Sequence, residues 1–205
     1  MPNRRREGVH LTNRTEMTQE FSAGDALMIV DVQNDFCPGG ALPIPDGDRV
    51  VPVINAWSRA AVRAGVPIYL SRDWHPARHP SFEPEGGEWP PHCIQDTPGA
   101  AFHPELEVPS DATIVSKGTR FDMDQYSAFH ETGLIERLRR DGVRRLWMGG
   151  LAQDVCVCAT ALDARRHGLE VALIPGGSLP VTREGARDAL RRMQEAGVQQ
   201  TEEIG

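Results

Sequence analysis

The sequence predicts an α/β domain: a parallel sheet covered by helices on both faces. Two observations predict it. Short apolar runs alternate with stretches whose apolar residues recur at helical spacing, as when buried strands are joined by crossover helices. The chemically active polar residues then fall where those apolar runs end, beside the strand ends at which ligands of such sheets bind. The length of 205 residues suits a single domain with a full core.

The elements follow in order. A buried strand over 26–30 runs into Asp31. Val50, Ile54, Trp57 and Ala61 lie at helical spacing, and Gly65 stops that helix. A strand over 66–70 ends near Asp73, and a Pro- and Gly-rich loop follows from His75 to about Pro109, long enough to be functional. A short strand over 113–115 leads into Ser116 and Lys117. Leu134, Ile135 and Leu138 mark a helix, and a strand over 145–148 ends in Gly149 and Gly150. A helical pattern covers 155–167, a strand 169–174, and Thr182 caps a last helix reaching about Ala196. Residues 1–24 are polar and aperiodic, with three consecutive arginines at 4–6, and are expected to form a flexible extension. Residues 25–205 then make up one domain, without repeat or linker.

Composition excludes several classes. A formal net charge of -7 offers no basic surface to nucleic acid or an anionic membrane. The apolar runs are too short to span a bilayer. Four cysteines do not make a disulfide scaffold, which points to a reducing, cytoplasmic setting.

Cys156 follows the turn from Gly149 to Val155 at the expected start of a helix. There the macrodipole and free N–H groups favour a thiolate and can hold a developing oxyanion. Cys158, two positions on, faces away and reads as a packed core thiol. A thiol nucleophile needs a base. Asp31 is the strand-end residue suited to it, since a carboxylate in a partly buried site has a raised pKa and can shuttle a proton. Of 22 basic residues only Lys117 is a lysine. A compact ammonium can sit between carboxylate and thiolate where a guanidinium is larger and planar. A second cluster, Asp73, His75, His79 and His92, holds three of the seven histidines and offers ligands for Zn²⁺, Fe²⁺ or Mn²⁺.

Together these segments resemble the nicotinamidases, or pyrazinamidases, of the isochorismatase-like cysteine hydrolases. The resemblance is carried by Val30-Asp31-Val32-Gln33-Asn34-Asp35-Phe36-Cys37, by Arg72-Asp73-Trp74-His75-Pro76 with His79-Pro80-Ser81-Phe82, and by Trp89-Pro90-Pro91-His92-Cys93. Ser116-Lys117-Gly118 and Asp154-Val155-Cys156-Val157 complete it. It implies a three-layer sandwich around a six-stranded parallel sheet and a triad of Asp31, Lys117 and Cys156. It also implies a divalent metal on Asp73, His75 and His92, zinc by preference, with the fourth ligand being His79, a loop glutamate such as Glu85, or water. Phe36, Trp89, Tyr126 and Leu151 would contact the substrate, and the N–H groups of Ala152 and Cys156 would form the oxyanion hole beside a cis Leu151-Ala152 peptide. Gln153 departs from a threonine common among relatives, and the stretch between Lys117 and Tyr126 varies in length. The expected activity is hydrolysis of nicotinamide to nicotinate and ammonia through a cysteine thioester, serving NAD salvage. The expected partner is a small molecule, with a homo-oligomer left open. A related amidase acting on a small carbamoyl or acyclic amide is the alternative; those relatives generally lack the His-rich metal loop.

Overall fold

The computed structural model describes residues 21–200. Six parallel strands lie in the order β3-β2-β1-β4-β5-β6. They are β1 (Asp25–Val30), β2 (Ile68–Asp73), β3 (Thr113–Lys117), β4 (Arg145–Leu151), β5 (Glu170–Leu179) and β6 (Gln199–Gln200). Four helices connect them: α1 (Val50–Ala64), α2 (Leu134–Arg140), α3 (Cys158–Arg166) and α4 (Arg183–Glu195).

Every residue of β1 is buried, and alternate residues face opposite ways. Ala26, Met28 and Val30 join Leu134, Leu138, Ala161, Ala164 and Met193 in a core beneath α2, α3 and α4. Leu27 and Ile29 join Ile54, Trp57 and Ala61 in a second core beneath α1. The two cores make the helix–sheet–helix sandwich. They also explain why the central strands read as continuous apolar runs.

Crossovers proceed from β1 to one side and return to the other, so β1 and β4 are adjacent and the chain diverges beyond their carboxyl ends. That divergence opens the crevice in which ligands bind. Gly150 permits a close approach there: its φ is 131°, and an added Cβ would collide with the backbone of Val30.

Several expectations need adjustment. β5 continues past Ile174 to Leu179 through Pro175-Gly176-Gly177, with a register shift against β4 between Met148 and Gly150. The Pro-Gly-Gly reads as a break, yet the irregular pairing accommodates it. β6 is two exposed glutamines with no apolar signal of its own. The expected extension over 1–24 is shortened, because residues 21–24 belong to the folded domain. Phe21 packs edge-on against Trp57 and Trp147, with ring centroids 5.8 and 6.5 Å away. The rest of that expectation, residues 1–20, lies outside the described residues.

Thr182 caps α4, its side chain accepting a hydrogen bond from the N–H of Gly185 at 2.9 Å. Thr182→Ala should lower folding stability by about 1 kcal/mol. Chemical denaturation checks this; an unchanged midpoint would show the cap to be energetically silent.

Candidate active site

Asp31 leaves β1 with a φ of 48°. Its N–H donates to the carbonyl of Ser71 and its Oδ1 accepts from Ser71 Oγ at 2.7 Å, which ties it to β2. Lys117 ends β3 directly opposite Asp73, the last residue of β2. Both Asp31 and Lys117 are completely buried. Lys117 Nζ lies 2.8 Å from Asp31 Oδ2, 2.5 Å from Asp73 Oδ1 and 3.3 Å from Cys156 Sγ. The ammonium therefore joins all three groups, and the contact with Asp73 was not anticipated.

Cys156 lies in a turn of π-helix over Gln153–Val157 that precedes α3. The turn places it at a helix start, but in a site where burial opposes the thiolate. Burial pushes the thiol well up; Lys117 opposes this, while Asp31 and Asp73 add to it. Burial likewise raises the Asp31 carboxyl, against the pull of Lys117. For Lys117 burial acts downward, but the two carboxylates outweigh it and hold the ammonium charged. Acid, base and nucleophile thus share one buried unit whose protons redistribute together.

A cleft opens beside Cys156. Phe36, Trp89 and Tyr126 line it, as do His75, His92, Ala152 and Cys156. Trp89 Nε1 donates to Tyr126 Oη at 3.0 Å, so the two aromatic rings close one side together. Leu151 does not line it. Its side chain is fully buried in the core beneath α1, because strand alternation turns it toward that face. The Leu151-Ala152 peptide is cis.

Leu42, Ile44, Asp124, Val155 and Val181 also face the cleft and were missed by sequence reasoning. Leu42 and Ile44 share one loop, Val155 lies in the nucleophile turn, and Asp124 and Val181 come from two further loops, so no single pattern marks them. Asp154 brings one of them in, since its carboxylate accepts from the N–H groups of Val181 and Thr182 at 2.8 and 3.2 Å.

On the far side of Lys117, ligand atoms of Asp73, His75 and His92 lie within 4.8 Å of one another. His75 Nδ1 stands 3.1 Å from the carbonyl of His92, and His92 Nδ1 stands 2.7 Å from the carbonyl of Pro90. A carbonyl only accepts, so each Nδ1 carries the hydrogen and each Nε2 keeps its lone pair. Burial and the neighbouring His92 and His79 push His75 down to about 3, which keeps the ring neutral. Gly118 preserves the space: an added Cβ would meet His75 Nε2 at 2.5 Å and Asp73 Oδ1 at 3.4 Å. One carboxylate and two imidazoles facing an open space fit a divalent metal.

His79 stands apart from this set. Its ring lies 4.4 Å from that of His75, but its donor atom groups with His75 and Asp124. Ser81 meets His79 Nδ1 with its Oγ at 2.6 Å and its N–H at 3.3 Å, and His79 Nε2 is buried without a hydrogen-bond partner among the described residues. Glu85 forms a two-bond pair with Arg78, at 2.8 and 3.1 Å, and belongs to none of the ligand groups found among the described residues.

A buried cysteine, carboxylate and ammonium at the crevice of a parallel sheet, with a metal-type donor set beside them, define a cysteine hydrolase of α/β type. The chain belongs to the isochorismatase family, whose domain model matches residues 25–203. It is 36% identical to the nicotinamidase of Escherichia coli over 195 residues, which cover 84% of this chain and 92% of that protein. The zinc complex of the pyrazinamidase of Pyrococcus horikoshii superposes with a TM-score of 0.84 at 44% identity, covering 88% of this chain and 99% of that one. PnC1 of L. infantum, solved with nicotinate, gives 0.81 at 35% identity, covering 87% and 92%.

Proposed function

We propose that the protein is a nicotinamidase that converts nicotinamide and water to nicotinate and ammonia, and accepts pyrazinamide as well. The observation that carries this reading is the placement of Lys117. It bridges the Asp31–Cys156 pair and the Asp73 carboxylate, so a ring held at the Asp73-His75-His92 cluster presents its carboxamide to the thiol.

Asp31 takes the thiol proton as Cys156 Sγ attacks the carboxamide carbon. The N–H groups of Ala152 and Cys156 hold the tetrahedral oxyanion. The proton passes to the amine, ammonia leaves, and a thioester remains. Asp31 then acts as base toward water, and the thioester is hydrolysed. Lys117 stays charged throughout and balances the negative charge as it moves between Asp31 and Cys156. Phe36, Trp89 and Tyr126 wall the ring. Asp73, His75 and His92 would hold zinc, which anchors and polarises the pyridine nitrogen when bound. Among the described residues no helix is long and apolar enough to cross a membrane. All four cysteines are unpaired and buried, which supports a reducing, cytoplasmic setting.

Ammonia release from nicotinamide by purified protein of measured zinc content tests the reading; no release with zinc bound would overturn it. Asp73→Ala and His92→Ala should each lower bound zinc and raise KM about tenfold or more, since ligand loss removes the ring anchor. His79→Ala should do less, because its donor atom groups with His75 and Asp124 and not with Asp73 and His92. Full activity in rigorously metal-free protein would overturn the metal's role.

A further inference from the structure

We propose that Asp35 is a positioning residue of the metal cluster, acting on His75 through the peptide that joins His92 to Cys93. Asp35 Oδ2 accepts from the N–H of Cys93 at 2.7 Å. The carbonyl of that same peptide, on His92, accepts from Nδ1 of His75 at 3.1 Å. One peptide plane is therefore held at both ends, by a carboxylate on its N–H and an imidazole on its carbonyl. A carboxylate on the N–H polarises the amide and makes its oxygen a stronger acceptor. That fixes hydrogen on His75 Nδ1 and raises the donor strength of Nε2, which faces Asp73. Carboxylates commonly do this to metal-bound imidazoles by direct contact; here a peptide stands between. His92 is placed by the same peptide, being its carbonyl residue.

Gln33, two residues earlier, treats the third ligand in a parallel way. Its side-chain oxygen accepts from the N–H of Asp73 at 2.8 Å, and its amide nitrogen donates to the carbonyls of Asp73 and Ala100 at 2.8 and 2.9 Å. Gln33 is fully buried, and it pairs with the end of β2 as a neighbouring strand would. The segment leaving β1 thus delivers Asp31 to the thiol, then Gln33 and Asp35 to the backbone around the metal ligands. The second oxygen of Asp35 accepts from the N–H of Ala41 at 3.0 Å, so two donors converge on it. Only a carboxylate satisfies both; an amide must turn its NH₂ toward one of them.

This inference rests on the metal reading and not on the identity of the substrate. The experiment measures zinc affinity by competition with a chromophoric chelator, together with the melting temperature of the metal-free protein. Asp35→Asn and Gln33→Glu should each weaken zinc binding by about 10- to 100-fold. Metal-free melting should shift by only a few degrees. Gly99→Ala is the backup should Asp35→Asn fail to fold. A Cβ on Gly99 would collide with the Asp35 carboxylate and push it away with its chemistry intact, so zinc binding should weaken in the same direction. Zinc affinity within twofold of the parent in these variants would overturn the proposal, and a lowered metal-free melting temperature alone would make Asp35 a loop anchor. A parent protein that binds no zinc would overturn the metal reading itself, and this inference with it.

Discussion

Cys156→Ala should reduce ammonia release by about 10⁴-fold or more, since no thioester can form, while Cys158→Ala should keep most of it. The two cysteines lie two positions apart, yet their surroundings differ. Cys156 faces the cleft with Lys117 Nζ 3.3 Å from its sulfur. Cys158 is buried on the opposite side, its sulfur 4.0 Å from the carbonyl of Ala189 in α4. Iodoacetamide should label Cys156 ahead of Cys158. The labelling rate at Cys156 should rise with pH, because burial pushes its thiol up and the thiolate is the form that reacts. Peptide mapping that finds Cys158 modified first would reverse the assignment of the nucleophile.

Lys117→Arg preserves charge and should still lower kcat by at least about a hundredfold, the scale of losing an oriented proton-transfer partner. Lys117 is completely buried, with oxygen or sulfur of Asp31, Asp73 and Cys156 close around Nζ. A planar guanidinium needs more room than that space gives, and it engages carboxylates in bidentate pairs. Pairing with Asp31 would lower the pKa of that carboxyl and make it a poorer proton acceptor. Pairing with Asp73 would draw a ligand from the metal cluster, so zinc content should fall too. Steady-state kinetics, zinc analysis and circular dichroism separate these effects from misfolding. A folded variant with near-native kcat would reduce Lys117 to a source of positive charge and the triad to a pair.

Much of this site is legible in the chain because its residues sit at the ends of apolar runs. Asp31, Asp73 and Lys117 each stand at or just beyond the last residue of a strand, and such runs announce where strands stop. Parallel strands end on one side of the sheet, so those positions had to converge. Leu151, expected from the resemblance to contact the substrate, marks a limit of reading position alone. It lies beside the nucleophile turn, yet strand alternation sends its side chain into the core. Asp124 fails in the other direction, lining the cleft from a loop that carries no periodic signal. β6 was silent for a related reason, since two exposed glutamines at a sheet edge need no apolar pattern.

By itself the sequence determined the parallel α/β class, the strand ends that carry acid, base and nucleophile, and the stretch that supplies the metal ligands. Those properties depend on periodicity over a few residues, which burial imposes on the chain locally. Tertiary structure alone decided that Lys117 reaches Asp73 as well as Asp31, that Cys156 is desolvated beside two carboxylates, and that Ser81 engages His79 Nδ1. It also decided that Asp35 reaches across to the peptide of Cys93, 58 positions further along the chain. The physical reason is distance in sequence. Hydrogen bonds, desolvation and charge act through space, and the partners in each case come from segments whose meeting only the packed sheet arranges.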